Sequence, residues 1–415
     1  MSGAQADRAD SRPTPLELGF DPADAAFIGD PYPVYRRLRE HPVLWNPATW
    51  QWIVSRHADV NHLLRDRRLG RTYLHQATHA EFGRPEPPAW HAPFRELNDA
   101  GMLDREPPHH TRLRRLVTRA FTPRTVEAMR PRIEGIVDGL IDRFDGAGEI
   151  DLVADFIEPL PVTVIAELLG IPEADRHLLR PWSADMCLMY ELDPPEASQR
   201  RAVTASVEFA AYLRELLAER RARPGDDLIS GLAAVVDEGD SLTESELIAT
   251  CVLLLNAGHE ASVNGAANGW WALFRHPDQL ARLRAHDSLV PGAIEELLRY
   301  DTPLPLFERW VLEPIEIAGV VIPRGAEVAL LFGSANRDPA AFERADELDL
   351  AREPNPSLSF GAGIHYCLGA PLARLELGIA FGALLRRVTR LELVETPRWK
   401  PTFVLRGLEA LRVRV

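Results

Sequence analysis

One cysteine, Cys367, sits in Ser359-Phe-Gly-Ala-Gly-Ile-His-Tyr-Cys-Leu-Gly-Ala-Pro-Leu-Ala-Arg374, a glycine-rich stretch that gives way at once to a strong helical pattern. That setting suits a thiolate ligand. Gly361, Gly363 and Gly369 let the backbone approach the sulfur, and N–H groups at a helix start stabilise its negative charge. Behind a haem iron, such an electron-rich sulfur favours O–O bond cleavage. A lone cysteine taken by itself is more often an inert buried side chain. The pattern around Cys367 is what outweighs that reading.

Three further clusters carry chemistry-bearing side chains. In Glu296-Leu-Leu-Arg299 a carboxylate and a guanidinium share one helical face and can pair; as an exposed pair this would be worth under about 1 kcal/mol. In His110-Thr-Arg-Leu-Arg-Arg-Leu-Val-Thr-Arg119, at about 100° per residue, His110 and Arg114 lie on one face and could grip an anion together. Arg112, Arg115 and Arg119 form a basic stripe on the opposite face, for which a solvated arginine surface is an equal alternative. In Leu255-Asn-Ala-Gly-His-Glu-Ala-Ser262, polar residues and a glycine interrupt an apolar run, a poor choice for a purely structural helix, so a functional kink is expected.

These segments, in this order, resemble the cytochrome P-450 superfamily from about Asp30 to Val415. Its cysteine loop reads Phe-x-x-Gly-x-x-x-Cys-x-Gly, matched by Phe360, Gly363, Cys367 and Gly369. The resemblance implies haem b (iron protoporphyrin IX) with Cys367 as its iron ligand and Phe360 on the sulfur side. It places haem propionates at His365, at His110 with Arg114, and at Arg309. It makes Glu296, Arg299 and Arg352 a structural set beneath the haem. Ala257 and Gly258 would leave room for dioxygen, and Glu260 would be the acid of the family's acid–alcohol pair. Here the sequence departs from the family, because Ala261 occupies the threonine position and the nearest hydroxyl, on Ser262, lies about 100° further round the helix. Proton delivery is therefore expected to use Glu260 with a held water, Ser262, or a hydroxyl of the substrate. His259 reads as a packing residue.

The resemblance also assigns substrate contacts to Tyr73–Phe94, Met186–Tyr190, Leu254, Ala257, Leu304, Leu306, Phe307, Phe403 and Val404. These are mostly apolar, so a bulky hydrophobic molecule is expected, and His75, His79, Trp90 and His91 would add hydrogen-bonding capacity unless they are ordinary loop packing. Polyketides, macrolides, steroids and peptide-derived products all fit. The implied activity is monooxygenation with dioxygen as co-substrate. Its electrons would come from NAD(P)H through a ferredoxin reductase and an acidic ferredoxin docked near Arg112, Arg115 and Arg119. Two alternatives are oxidative coupling or desaturation without oxygen insertion, and a non-catalytic haem-binding interaction protein.

The elements that must position these groups are mainly α-helical. Helical periodicity covers Thr125–Phe144, Leu160–Leu169, Ala202–Arg223 and Leu372–Val388. The longest helix starts at a capping box, Thr243 with Glu246, runs to about His276, and spans on the order of 50 Å. Strands are expected in a hairpin over Val43–Val54 and a pair over Pro314–Leu330. The fold expected is a helix-rich triangular body with a smaller β-containing portion: a disordered lead-in over residues 1–20, then one domain over 21–415. Lys and Arg total 47 against 61 Asp and Glu, a net charge of −14, which argues against nucleic acid or an anionic membrane as partner. Three scattered cysteines point to a reducing compartment, the cytoplasm by default, and no apolar run is long enough to span a membrane. A monomer is expected.

Overall fold

Helices dominate the computed structural model, which describes residues 12–144 and 146–415. Seven of them frame the site or pack around it: α1 (His109–Ala120), α2 (Pro159–Leu169), α3 (Leu179–Cys187), α4 (Glu196–Ala222), α5 (Glu244–Arg275), α6 (Val290–Tyr300) and α7 (Ala370–Arg387). The capping box of α5 forms as its spacing predicts, with Thr243 accepting from the Glu246 amide and Glu246 accepting from the Thr243 amide. The helix ends at His276 because the following Pro277 disfavours helical backbone before it. Its 32 residues are buried on most sides, as expected of a helix apolar nearly all round. It packs against α2, α3, α4, α6 and α7. Glycines permit the closest crossings: a Cβ on Gly265 would meet Leu298 of α6, and one on Gly269 would meet Phe381 of α7. The helix continues through Asn256–Glu260 without a break in its helical assignment.

The segment expected as one helix over 125–144 divides into Pro123–Ala128 and Arg130–Asp142 at Met129, because Pro131 cannot donate within a continuous helix. The Val43–Val54 hairpin forms as β1 (Val43–Asn46) and β2 (Gln51–Val54), with Asn46 accepting from the Ala48 amide in its turn. With β3 (Leu69–Gly70), β4 (Phe307–Val311) and β5 (Glu327–Leu330) it makes a mixed sheet of order β1-β2-β5-β4-β3. The Pro314–Leu330 region supplies a small hairpin, Ile315–Ile317 with Val320–Ile322, and sends β5 into the main sheet instead.

The ordered body starts earlier than residue 21. Phe20 is buried, edge-on to Phe27 and Phe403, and turns occupy residues 14–19. The rest of the expected lead-in, residues 1–11, lies outside the described residues. Among the described residues no helix is long and apolar enough to cross a membrane.

Candidate functional site

A cavity of about 510 Å³ lies between the middle of α5 and the cysteine loop. Cys367 forms part of one wall. Its amide donates to the Phe360 carbonyl, and Gly363, at φ 71°, is fixed as glycine because a Cβ there would run into the Leu64 carbonyl. Burial pushes the Cys367 thiol up, while the Gly369 and Ala370 amides at the start of α7, with Arg114 and Arg374, favour the thiolate. Phe360 also lines the cavity, with the Arg374 guanidinium 4.5 Å from its ring centroid.

His110, Arg114, Arg309 and His365 all reach the same cavity. His110 is buried with neither ring nitrogen partnered, and its ring lies 4.4 Å from that of His365. His365 Nε2 is also unpartnered; Glu106 is 3.8 Å away, beyond hydrogen-bond reach. Burial lowers His110 to about 4 and Arg309 to about 9, the latter helped by the neighbouring Arg71 cation. Arg114 is lowered by burial too, and donates to the Tyr366 carbonyl. Buried basic groups with idle donors around one cavity fit an anionic ligand that would satisfy them. A cysteine sulfur on one wall and buried basic groups beside it fit haem, whose iron Cys367 would hold and whose propionates His110, Arg114, Arg309 and His365 would hold.

The structural set closes as the spacing of its members requires. Glu296 and Arg299 are wholly buried and joined by two bonds, Nε to Oε2 at 2.7 Å and Nη2 to Oε1 at 2.8 Å. Arg352 Nε donates to both oxygens of Glu296 at 3.0 Å, and the Asp349 amide donates as well. The remaining donors of Arg299 reach the Asn336, Ala345 and Glu347 carbonyls. These three side chains do not line the cavity; they tie α6 to residues 336–352, just before the cysteine loop.

On α5, Leu254, Ala257, Ala261 and Ser262 line the cavity, joined by Leu304, Leu306, Phe307 and Val404. Gly258 also lines the cavity, where a Cβ would press on Ile165 of α2, so the glycine serves close helix packing at the cavity wall. Glu260 does not line the cavity. Its carboxylate accepts from Lys400, the only lysine in the chain, at 3.2 Å, and Lys400 also reaches Asn264. His259 packs against α3, its Nδ1 3.1 Å from Ser183, and burial lowers it to about 4, so it is neutral.

Several expected contacts lie elsewhere. Phe403 turns away from the cavity into the cluster of Phe20 and Phe27, because Val404 and Leu405 supply the cavity face of that turn. Tyr73 stacks on Phe82 beside Trp310, and Met186 is buried under the Asn256 amide. His75, His79, Trp90 and His91 pair with Gln76, Tyr73, Arg200 and Gln199, and none reaches the cavity. Cys187, Met189 and Tyr190 do.

Arg112, Arg115 and Arg119 face one way but are not a free positive surface. Arg112 pairs with Asp240 and Glu246, Arg115 with Asp237 and Glu238, and Arg119 with Asp237. One group escaped the sequence reading altogether. Glu376 of α7 lines the cavity, is buried, and is pushed up to about 8 by burial alone, which favours its protonated form. Its signal was available: it continues the buried stripe Leu372, Glu376, Ala380 at four-residue spacing.

Comparison with known proteins agrees with this geometry. The family model described as Cytochrome P450 matches residues 69–405. Cytochrome P450 107B1 of Saccharopolyspora erythraea is 43% identical over 402 residues, covering 94% of this chain and 96% of its own. Cytochrome P450 monooxygenase PikC of Streptomyces venezuelae is 41% identical over 416 residues, covering 97% and 94%. The solved structure of P450BioI in complex with acyl carrier protein ligated to hexadec-9Z-enoic acid superposes with a TM-score of 0.88 at 37% identity, covering 95% of this chain and 100% of that one.

Proposed function

The chain belongs to the cytochrome P450 family and is a monooxygenase, and from that membership we propose that it hydroxylates or epoxidises a bulky, largely apolar small molecule of natural-product or steroid-like type. The observation that carries this reading is the cavity itself: Cys367 on one wall, and Leu254, Ala257, Leu304, Leu306, Phe307 and Val404 on the others. Haem bound at Cys367 supplies the activation of dioxygen. The protein's part is to hold and exclude. Cys367 gives the sulfur, whose thiolate form the amides of residues 369 and 370 favour against the opposing effect of burial. His110, Arg114, Arg309 and His365 hold the carboxylates, and the apolar wall keeps water from competing with substrate.

Proton handling falls to side chains other than the usual threonine. Ser262 offers a hydroxyl at the cavity and Glu376 a protonated carboxyl. Glu260 is held by Lys400 behind the helix and reaches the cavity only if that pair opens. Electrons would come from NAD(P)H through a reductase and an acidic ferredoxin. Docking near Arg112, Arg115 and Arg119 requires that partner to compete with Asp237, Glu238 and Asp240 for the same guanidinium groups.

Ala261 in place of a hydroxyl favours a second reading, oxidative coupling or desaturation, in which no oxygen is inserted. Turnover with ¹⁸O-labelled dioxygen separates the two. One ¹⁸O atom in the product is the expected result; product free of label would replace oxygen insertion with the second reading.

A further inference from the structure

At the end of the cavity, Glu191 closes a contact between two segments far apart in sequence. It follows directly after Met189 and Tyr190, which line the cavity at the end of α3. Its carboxylate accepts three consecutive backbone N–H groups: Phe403 and Val404 on Oε2 at 2.9 and 3.1 Å, and Leu405 on Oε1 at 3.0 Å. Consecutive amides converging on one point form an anion-binding concavity, and the carboxylate of Glu191 is the anion that fills it.

The rest of the C-terminal turn is anchored by other means. Lys400 binds Glu260 and Asn264, Asn268 donates to the Arg406 carbonyl, and the Arg406 amide donates to Pro303. The Arg406 guanidinium pairs with buried Asp301 and lies 3.5 Å from the Trp399 ring centroid. The tip carrying Val404 and Leu405 is the part that faces the cavity, and Glu191 is what ties that tip to the segment after α3. Between Leu188 and Pro195 the chain is short 3-10 helix and irregular backbone, with two prolines at its end, so it lacks a hydrogen-bonded ladder of its own to hold it in place.

We propose that Glu191 is a positioning residue that latches the segment after α3 onto the Phe403–Leu405 turn, setting the width of the cavity at that end and the rate at which bulky ligands enter and leave. This rests on the haem-binding reading above. A small ligand needs no opening of the latch, whereas a bulky one does. Loss of the carboxylate therefore speeds exchange selectively by size, and a free carboxylate small enough to occupy the three amides restores the slow rate.

The test is stopped-flow binding of two haem-ligating azoles, imidazole and econazole, to the haem-loaded protein. In Glu191→Ala, econazole association and dissociation are expected to quicken about tenfold, while imidazole changes by less than about twofold. Added formate should return the econazole rates toward the wild-type values and leave wild type unaffected. Glu191→Gln preserves the volume and one carbonyl oxygen, so it should fall between the two, and it serves if the alanine variant does not fold. Econazole rates equal to wild type in either variant would overturn the proposal. So would equal acceleration of both azoles, which marks general loosening, or faster exchange that formate does not reverse. A wild-type protein without a thiolate-type carbon monoxide band would instead overturn the haem reading, an outcome visible before any rate is measured.

Discussion

At position 261 a methyl group faces the cavity, and the protons of the proposed reaction would come from other groups. Ala261→Thr adds a hydroxyl to the same face of α5. If the site merely lacks it, the fraction of consumed electrons recovered as product should rise; unchanged or lower coupling, measured as product formed per NAD(P)H oxidised, would show that delivery is organised around Ser262, Glu376 or the substrate. Glu376 has its own signature. Its folded value near 8 lies above the ordinary carboxylate value of 4.5, so the folded state binds more protons than the unfolded state between those pH values, and stability falls as pH rises through that window. Glu376→Gln removes this loss. Its unfolding free energy should match wild type near pH 4.5 and exceed it near pH 8, by an amount on the order of a few kcal/mol. Parallel pH profiles for the two proteins would show that Glu376 is ionised in the folded state. Helical periodicity over Leu372–Val388 does not single this residue out, because a glutamate in a helix is ordinarily solvent-facing and only the tertiary packing buries it. Phe403 was misplaced for a related reason: residue type gives no direction in a loop, and one step separates the cavity face of Val404 from the aromatic cluster behind it.

Among the elements, α6 is held to residues 336–352 by a buried charge cluster in which every donor of Arg299 has a carbonyl or carboxylate partner. Removing the anion leaves two arginines facing an uncharged amide in a buried site. Glu296→Gln should therefore cost about 3–5 kcal/mol in equilibrium unfolding and lower the haem content of the purified protein. A loss below about 1 kcal/mol would mean that the cluster behaves as a surface pair. The spacing of Glu296 and Arg299 told that they could pair. It could not tell that they were buried, and burial is what separates a negligible pair from an essential one. The stripe on α1 shows the opposite outcome. Helix arithmetic put Arg112, Arg115 and Arg119 on one face, but their acidic partners lie more than 100 residues away in sequence, beyond the reach of local pattern. If these pairs shield a docking face, Asp237→Asn with Glu238→Gln should speed reduction by an acidic ferredoxin about two- to tenfold at low ionic strength, with the gain shrinking as salt is added. Slower reduction, followed by stopped-flow absorbance, would place docking elsewhere or make the acidic turn part of it.

Over the whole molecule, the sequence disclosed what repeats or recurs: the long capped helix, the first hairpin, the cysteine loop and the helical bulk all lie where periodicity and spacing put them. It disclosed less wherever two distant segments meet, as where Glu191 receives the amides of residues 403–405, or where β5 leaves its neighbouring hairpin for the main sheet. Such contacts depend on three-dimensional closure and not on any local residue preference. The central claim nonetheless concerns a single atom, the sulfur of Cys367. Its most direct test is the absorption spectrum of the purified, reduced protein under carbon monoxide, recorded beside Cys367→Ser. A strongly red-shifted Soret band in the wild type that disappears in the variant is the expected result. A band at the ordinary haem position in the wild type, or a red-shifted band that survives the substitution, would contradict the assignment of Cys367 as the iron ligand.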